Sequence, residues 1–332
     1  MLLLACWPAS NLAAQAPEAS PSAAVLAPVG RQAGWLSLVA PRPRFLTRFD
    51  SPDYVSDVAL AAGSNRAAIV VVHSPTAAGV PYGQIMALDL TSSSVSSIVG
   101  GLDANESLGA PVWWPDGSRL LYQREDVSVV GTSYAGGATV QYPSRIEQVN
   151  ADGTDRTIVV DDARQPAVSP DGQKLAFVQR SEAGPTLVIR GLLDGTERIL
   201  IPAGQFGDIV SPRYAPGGDR IAFMAPVGFS PTQTPTPTTA ETPLLDGTWF
   251  GAPLRLAHGA PWDLWILSTD GSSPATRLAA LGADDGTVAW SPDGSQLFVY
   301  GGTGSFIVDA ATGEVLSLSF VAGYGATSWA SD

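Results

Sequence analysis

Lysine is almost missing from this chain. Of 18 basic residues only Lys174 is not arginine, and 31 acidic residues leave a formal net charge of −13. An acidic chain without a basic cluster is repelled by a phosphate backbone, which argues against nucleic acid as a partner. Cysteine is reduced to Cys6, so the sequence offers no disulfide framework. Two histidines, His73 and His258, leave only two possible bases for a Ser-His-Asp triad and scarcely supply a histidine-metal cluster. A G-x-S-x-G elbow, an H-E-x-x-H pair, a P-loop and a C-x-x-C pair are all missing. Sustained helical periodicity is missing too, and no segment after the N-terminus is long and apolar enough to span a bilayer as a helix. What is plentiful is glycine, at 35 residues, and apolar side chains, at 45%. These are the materials of turns and strands.

They are arranged as a repeat. PVWWPDGSRLLYQ (111–123), PAVSPDGQKLAFV (166–178), PRYAPGGDRIAFM (212–224) and VAWSPDGSQLFVY (288–300) are copies of one phrase. Each is a β-prone run, a turn with Pro presetting φ and Gly taking the positive-φ place, and a second apolar run. A second unit alternates with the first: IEQVNADGTDRTIVV (146–160), LVIRGLLDGTERILI (187–201), LWILSTDGSSPATRLA (264–279) and FIVDAATGEVLSLSF (306–320). It again reads strand, glycine turn, strand. One period therefore holds four short antiparallel strands, the content of a propeller blade.

On these residues the chain resembles the TolB-type, WD40-like PDG-repeat propellers of bacteria, from about residue 23 onward. The resemblance implies an all-β fold built as a six-bladed β-propeller of four-stranded antiparallel blades. A worn copy, DVALAAGSNRAAIVV (57–71) with IMALDLTSSSVSSIV (85–99), supplies another blade. The last residues, TSWASD (327–332), match VAWSPD and open a blade that AAVLAPV (23–29) and WLSLVAPRPRFLTRF (35–49) can complete. Closure of this kind leaves no free sheet edge. The expected organisation is a tether over 1–22 and a propeller over 23–332, with an insertion at 226–261.

The first residues, MLLLAC, end in a Leu3-Leu4-Ala5-Cys6 sequence that resembles a bacterial lipobox, and the Pro/Ala/Ser stretch after it suits a tether. There is no basic n-region, five residues are short for an h-region, and Leu4 is unusual two places before the cysteine. A start placed too far downstream would explain the shortage; a chance apolar N-terminus with a free thiol is the bland reading. The lipobox reading predicts lipidation at Cys6 and an extracytoplasmic, membrane-anchored protein at the periplasm or cell surface.

The repeat also sets a phase. Eight residues before each turn proline, or its equivalent, lie Asp53, Ser107, Asp162, Asp208, Asp284 and Gly323. By the family's geometry these ring one mouth of the central channel. Aspartate there caps turns in the bland reading. In the sharper one it makes the mouth acidic: carboxylates roughly 10 Å apart repel by about 1.7 kcal/mol at an effective dielectric near 20. Such a mouth attracts a cation or basic peptide group, and Ca2+ is the ion that oxygen-only surroundings suit; no other cofactor is expected. Long connections between second and third strands (74–83, 125–143, 226–261) are expected at the same face. They bring Tyr82, Tyr134, Tyr142, Trp249, Phe250 and His258 toward it. Aromatics on strands, such as Trp113, Trp114, Trp265, Trp290 and Trp329, read instead as packing between blades.

The function these features favour is a non-catalytic binding or scaffold module of the cell envelope, holding a protein or glycan at the acidic, loop-rich mouth. The resemblance does not extend to the Tol system itself, whose TolB carries an additional N-terminal α/β domain. Two alternatives stay open: a structural subunit of a membrane-bound complex docked through 226–261, or a glycan lyase or hydrolase using Asp162 and Asp208 as acid and base.

Overall fold

The computed structural model describes residues 24–38, 42–73, 82–100, 106–126, 132–133, 140–226, 261–318 and 321–330. Cys6, Tyr134, Trp249, Phe250 and His258 lie outside them, as does the 1–22 tether. The described residues form six four-stranded antiparallel sheets and one two-stranded hairpin, Thr132–Ser133 with Val140–Gln141.

Blade 2 runs Tyr54–Leu60, Arg66–His73, Tyr82–Asp89 and Val95–Val99 from the channel outward. Blade 3 runs Glu106–Trp113, Arg119–Asp126, Ser144–Asn150 and Thr157–Asp161, and blade 4 runs Ala163–Val168, Lys174–Ser181, Gly184–Gly191 and Glu197–Ile201. Blade 5 runs Val210–Tyr214, Arg220–Pro226, Trp262–Ser268 and Thr276–Ala283, and blade 6 runs Thr287–Trp290, Gln296–Gly301, Gly304–Asp309 and Val315–Leu318. Blade 1 joins the two ends of the chain: Ser328–Trp329 pairs with Ala24–Val29, which pairs with Gln32–Ser37, followed by Arg44–Phe45. The closure expected from the repeat is present, and the Tyr300 hydroxyl fastens it by donating to the Pro28 carbonyl at 2.5 Å.

The middle of each repeat's second strand is a run of consecutive apolar residues because it is buried on both sides. In blade 4, Leu175 and Phe177 face the junction with blade 3, while Ala176 and Val178 face the junction with blade 5. Ile221 and Phe223 likewise face blade 4, and Ala222 and Met224 face blade 6. Hydrophobic burial is thus divided into six clusters, one at each blade junction. Complete burial of a side chain such as Phe177 contributes about 1.5–3 kcal/mol. Trp113 and Trp290, at the same place in blades 3 and 6, are buried at their junctions as expected. Each also donates its indole N–H to the inner strand of the preceding blade, Trp113 to Ala59 O at 3.1 Å and Trp290 to Arg213 O at 3.0 Å.

The PDG turns cap themselves. Asp116, Asp171 and Asp293 each accept a backbone N–H two residues on, from Ser118, Gln173 and Ser295 at 2.9–3.0 Å. Gly117, Gly172, Gly218 and Gly294 follow with φ between 67° and 74°, a conformation open to glycine at little cost. This hardware recurs at one end of the blades and leaves the other end free for variation.

Candidate functional site

Asp53, Asp162, Asp208 and Asp284 all lie just before the innermost strand of their blades, where the repeat puts them; Ser107 falls one residue inside its strand. Three of these aspartates have side-chain partners. Asp53 meets His73 Nδ1 at 2.7 Å, and His73 Nε2 is 3.2 Å from Gln84 Oε1. Asp208 is held by both Arg164 and Arg180 from blade 4. Asp284 is mostly buried and accepts the Tyr324 hydroxyl at 2.9 Å. Glu106, beside Ser107, is paired with Arg124. Of the four aspartates Asp162 alone is exposed, in a left-handed conformation (φ 52°), and it shares no hydrogen bond with Asp208. Arginines thus place positive charge beside Asp208 and Glu106, while Asp284 is held by a neutral hydroxyl. Among the described residues no three His, Cys, Asp or Glu side chains gather closely enough to hold a metal ion. Tyr82 begins the third strand of blade 2, and only its backbone is described.

Three places farther along the repeat, five before the turn proline, stand Ser56, Ala110, Gln165, Ser211, Thr287 and Ala326. All six line a cavity of about 470 Å³ on the channel axis. In blades 2 to 5 this position is a β-bulge, where the inner strand carries one more residue than its partner. Ala110, Gln165 and Ser211 take positive φ there, at 47°, 55° and 52°. A bulge frees a backbone N–H from the ladder, and a buried N–H needs an acceptor. The neighbouring blade provides it. Gln165 N donates to Gln123 Oε1 and Ser211 N to Gln165 Oε1, each at 3.0 Å. Val288 N donates to Ser211 Oγ at 3.0 Å, and the Thr287 hydroxyl to Gly325 O at 2.7 Å. Ala326 N donates to Asp57 Oδ1 at 2.8 Å, and Ala110 N also donates to Asp57. Every blade is thereby joined to the next around the waist.

The cavity wall includes Tyr54, Glu125, Tyr142 and Arg213 as well. Burial raises the pKa of Asp57 and of Glu125 above the ordinary carboxylate value, against the lowering effect of their hydrogen bonds and nearby arginines. Burial also pulls the Arg213 guanidinium down to about 10, with Asp57 partly offsetting it. Val72 and Gly83 flank the 74–81 connection, Glu125 and Tyr142 flank 127–139, and all four line the cavity. The space therefore reaches the bases of two of the three long connections. Sequence reasoning named Tyr142 and the Ser107 position but missed Asp57, Glu125, Gln165 and Arg213. Counting five rather than eight residues from the turn would have found the ring. Asp57 and Arg213 also depart from the repeat, standing where other blades have proline or small residues.

No protein-family model and no curated protein sequence matches the chain. Solved structures do. TolB from Acinetobacter baumannii superposes with a TM-score of 0.57 at 16% identity, covering 92% of this chain and 65% of that one. The fold is that of a TolB-type propeller. This propeller thus spans about two thirds of the TolB chain it matches. A chain of a nidogen/laminin complex gives a TM-score of 0.61 at 11% identity, covering 92% and 97% of the two chains. Oligogalacturonate lyase, solved in complex with manganese, gives 0.50 at 13% identity over 87% and 70%. At these identities the likeness concerns the propeller architecture, which hosts both binding proteins and enzymes.

Proposed function

We propose that this propeller is an extracytoplasmic binding module that holds a protein or glycan ligand at the mouth of its central channel. The observation that carries the reading is the 470 Å³ cavity, walled by all six blades and reaching the bases of the long connections. Clefts of this volume are typical of ligand sites. Its carboxylates are engaged in the fold, Asp57 with backbone N–H groups and Glu125 with the Gln123 amide at 2.7 Å, which suits recognition better than proton transfer. The TolB likeness and the lipobox-like Cys6 together support an address at the cell envelope, and a lipid on Cys6 would hold the module at the membrane.

Affinity capture from the native envelope tests this. The wild-type chain should retain a partner that a Tyr54→Ala/Tyr142→Ala variant, altered only at the cavity wall, loses. Equal capture by the two proteins would move the binding surface elsewhere. Mass analysis of the native N-terminus tests the anchor, and an unmodified Cys6 preceded by residues 1–5 would remove it.

A further inference from the structure

We propose that the waist of the channel is a recognition site for the carboxylate of a small ligand, with the Arg213 guanidinium as the group that grips it. This rests on the reading of the channel as a binding surface and names the chemistry that it takes.

Three residues before the turn proline the six blades carry Val58, Val112, Ala167, Arg213, Ala289 and Ser328. Five are apolar or small, and Val58 and Ala167 pack into blade junctions; the sixth is an arginine, and it alone of the six lines the cavity. A charge drawn out of water is retained only with compensation. Arg213 donates from one amino nitrogen to the Pro212 carbonyl at 2.9 Å, and it forms an ion pair with none of the described carboxylates. Guanidinium has five N–H donors in a planar fork, so most of its capacity is unmet by the described residues, and Arg213 lines the cavity.

The carboxylates on the wall do not fill that role. Asp57 is the nearest counter-charge, but its oxygens accept from Ala326 N, Ala110 N and Ser56 Oγ. Glu125 accepts from Gln123 and lies in the field of Arg164 and Arg180. Residues that carry further donors line the same space: Gln165, whose amide oxygen is held by Ser211 N, and Tyr54 and Tyr142.

The ligand's charge follows from the balance. Among the described residues that line the space Arg213 is the one cation and Asp57 and Glu125 are two carboxylates, so a dianion such as phosphate meets more repulsion than it gains. A single planar carboxylate matches one guanidinium fork through two parallel N–H···O bonds. A neutral polar body then faces the amide and hydroxyl groups.

Titration calorimetry on the full chain with lactate, glutaramate and hippurate, beside neutral glutaramide and inorganic phosphate, tests the site. At least one of these monocarboxylates should bind saturably with one site per chain, and glutaramide and phosphate should not. Arg213→Gln should weaken that binding at least roughly tenfold. Arg213→Lys, which keeps the charge but lacks the fork, should also weaken it and serves if the glutamine variant does not fold. Saturation by none of the three carboxylates at millimolar concentration, equal binding of glutaramide, tighter binding of phosphate, or affinity unchanged in both variants would each overturn the proposal. An envelope partner captured by wild type and lost from the Tyr54/Tyr142 variant, with no carboxylate binding, would end this inference alone and leave the binding-module reading standing.

Discussion

Replacing Asp57 with alanine should unfasten two of the six joints around the channel at once. The carboxylate accepts Ala326 N from blade 1 at 2.8 Å and Ala110 N from blade 3, so it ties its own blade to both neighbours. Each backbone N–H left buried without an acceptor costs about 1–3 kcal/mol, which sets the gross loss at roughly 2–6 kcal/mol. Arg213 loses its favourable field as well. Against this stands relief of the desolvation that raises the Asp57 pKa above its ordinary 3.8. Because the folded-state pKa is the higher one, the native protein binds more protons in the window above 3.8, and this group's contribution to stability falls as pH rises through it. The net effect of Asp57→Ala at pH 7 is expected near 2–4 kcal/mol, a balance of those terms. Asp57→Asn keeps one acceptor oxygen and should fall between wild type and alanine, without that pH dependence. Urea unfolding followed by tryptophan fluorescence at pH 5 and pH 7, with slopes compared, gives the numbers. A loss within about 0.5 kcal/mol of zero at unchanged slope would refute the account of the waist as hydrogen-bonded joints.

Two further substitutions probe the scaffold. Glu147 is buried and receives Tyr122 OH at 2.7 Å, Arg145 Nε at 2.6 Å, Arg156 Nε at 2.5 Å and Arg124 at 3.2 Å. Burial alone would raise its pKa, but these bonds outweigh it and hold the carboxyl below the ordinary 4.5. Its stabilisation is therefore full above 4.5 and is lost as pH falls through the folded-state value. Glu147→Ala should cost about 3–5 kcal/mol at pH 7 by chemical denaturation, with the two proteins converging in acid. A constant difference down to pH 2 would contradict this. Trp113→Ala should cost about 3–5 kcal/mol, because it opens a cavity at the blade 2–blade 3 junction and strips a bond from Ala59 O; an unchanged melting temperature would count against the junction as a core.

The scaffold was legible because one segment of sequence is written several times. Each copy carries its own turn chemistry and apolar run, and even the truncated copy at 327–332 announced a blade shared between the chain's ends. The site was less legible. Counting from the turn located Asp53, Asp208 and Asp284, but their partners His73, Arg164, Arg180 and Tyr324 arrive from other strands or blades, and no local pattern announces such pairings. The cavity wall has no residue type in common: Ser56, Ala110, Gln165, Ser211, Thr287 and Ala326 share only a backbone position, and a bulge leaves little trace in composition. The visible trace was a mismatch. Arg213 stands where the other five copies have valine, alanine or serine.

The closed circuit of bonds at the waist has a consequence for how the channel meets a ligand. A hoop fastened at every joint cannot widen at one place without straining the rest, so the aperture is a property of the whole ring. A molecule entering it finds its walls already set and orders little protein on arrival. The same circuit passes through Gly325 and Ala326, beside the short strand that the chain's last described residues lend to its first. Whatever fills the waist thus also bears on the seam where the two ends of the polypeptide are sewn together.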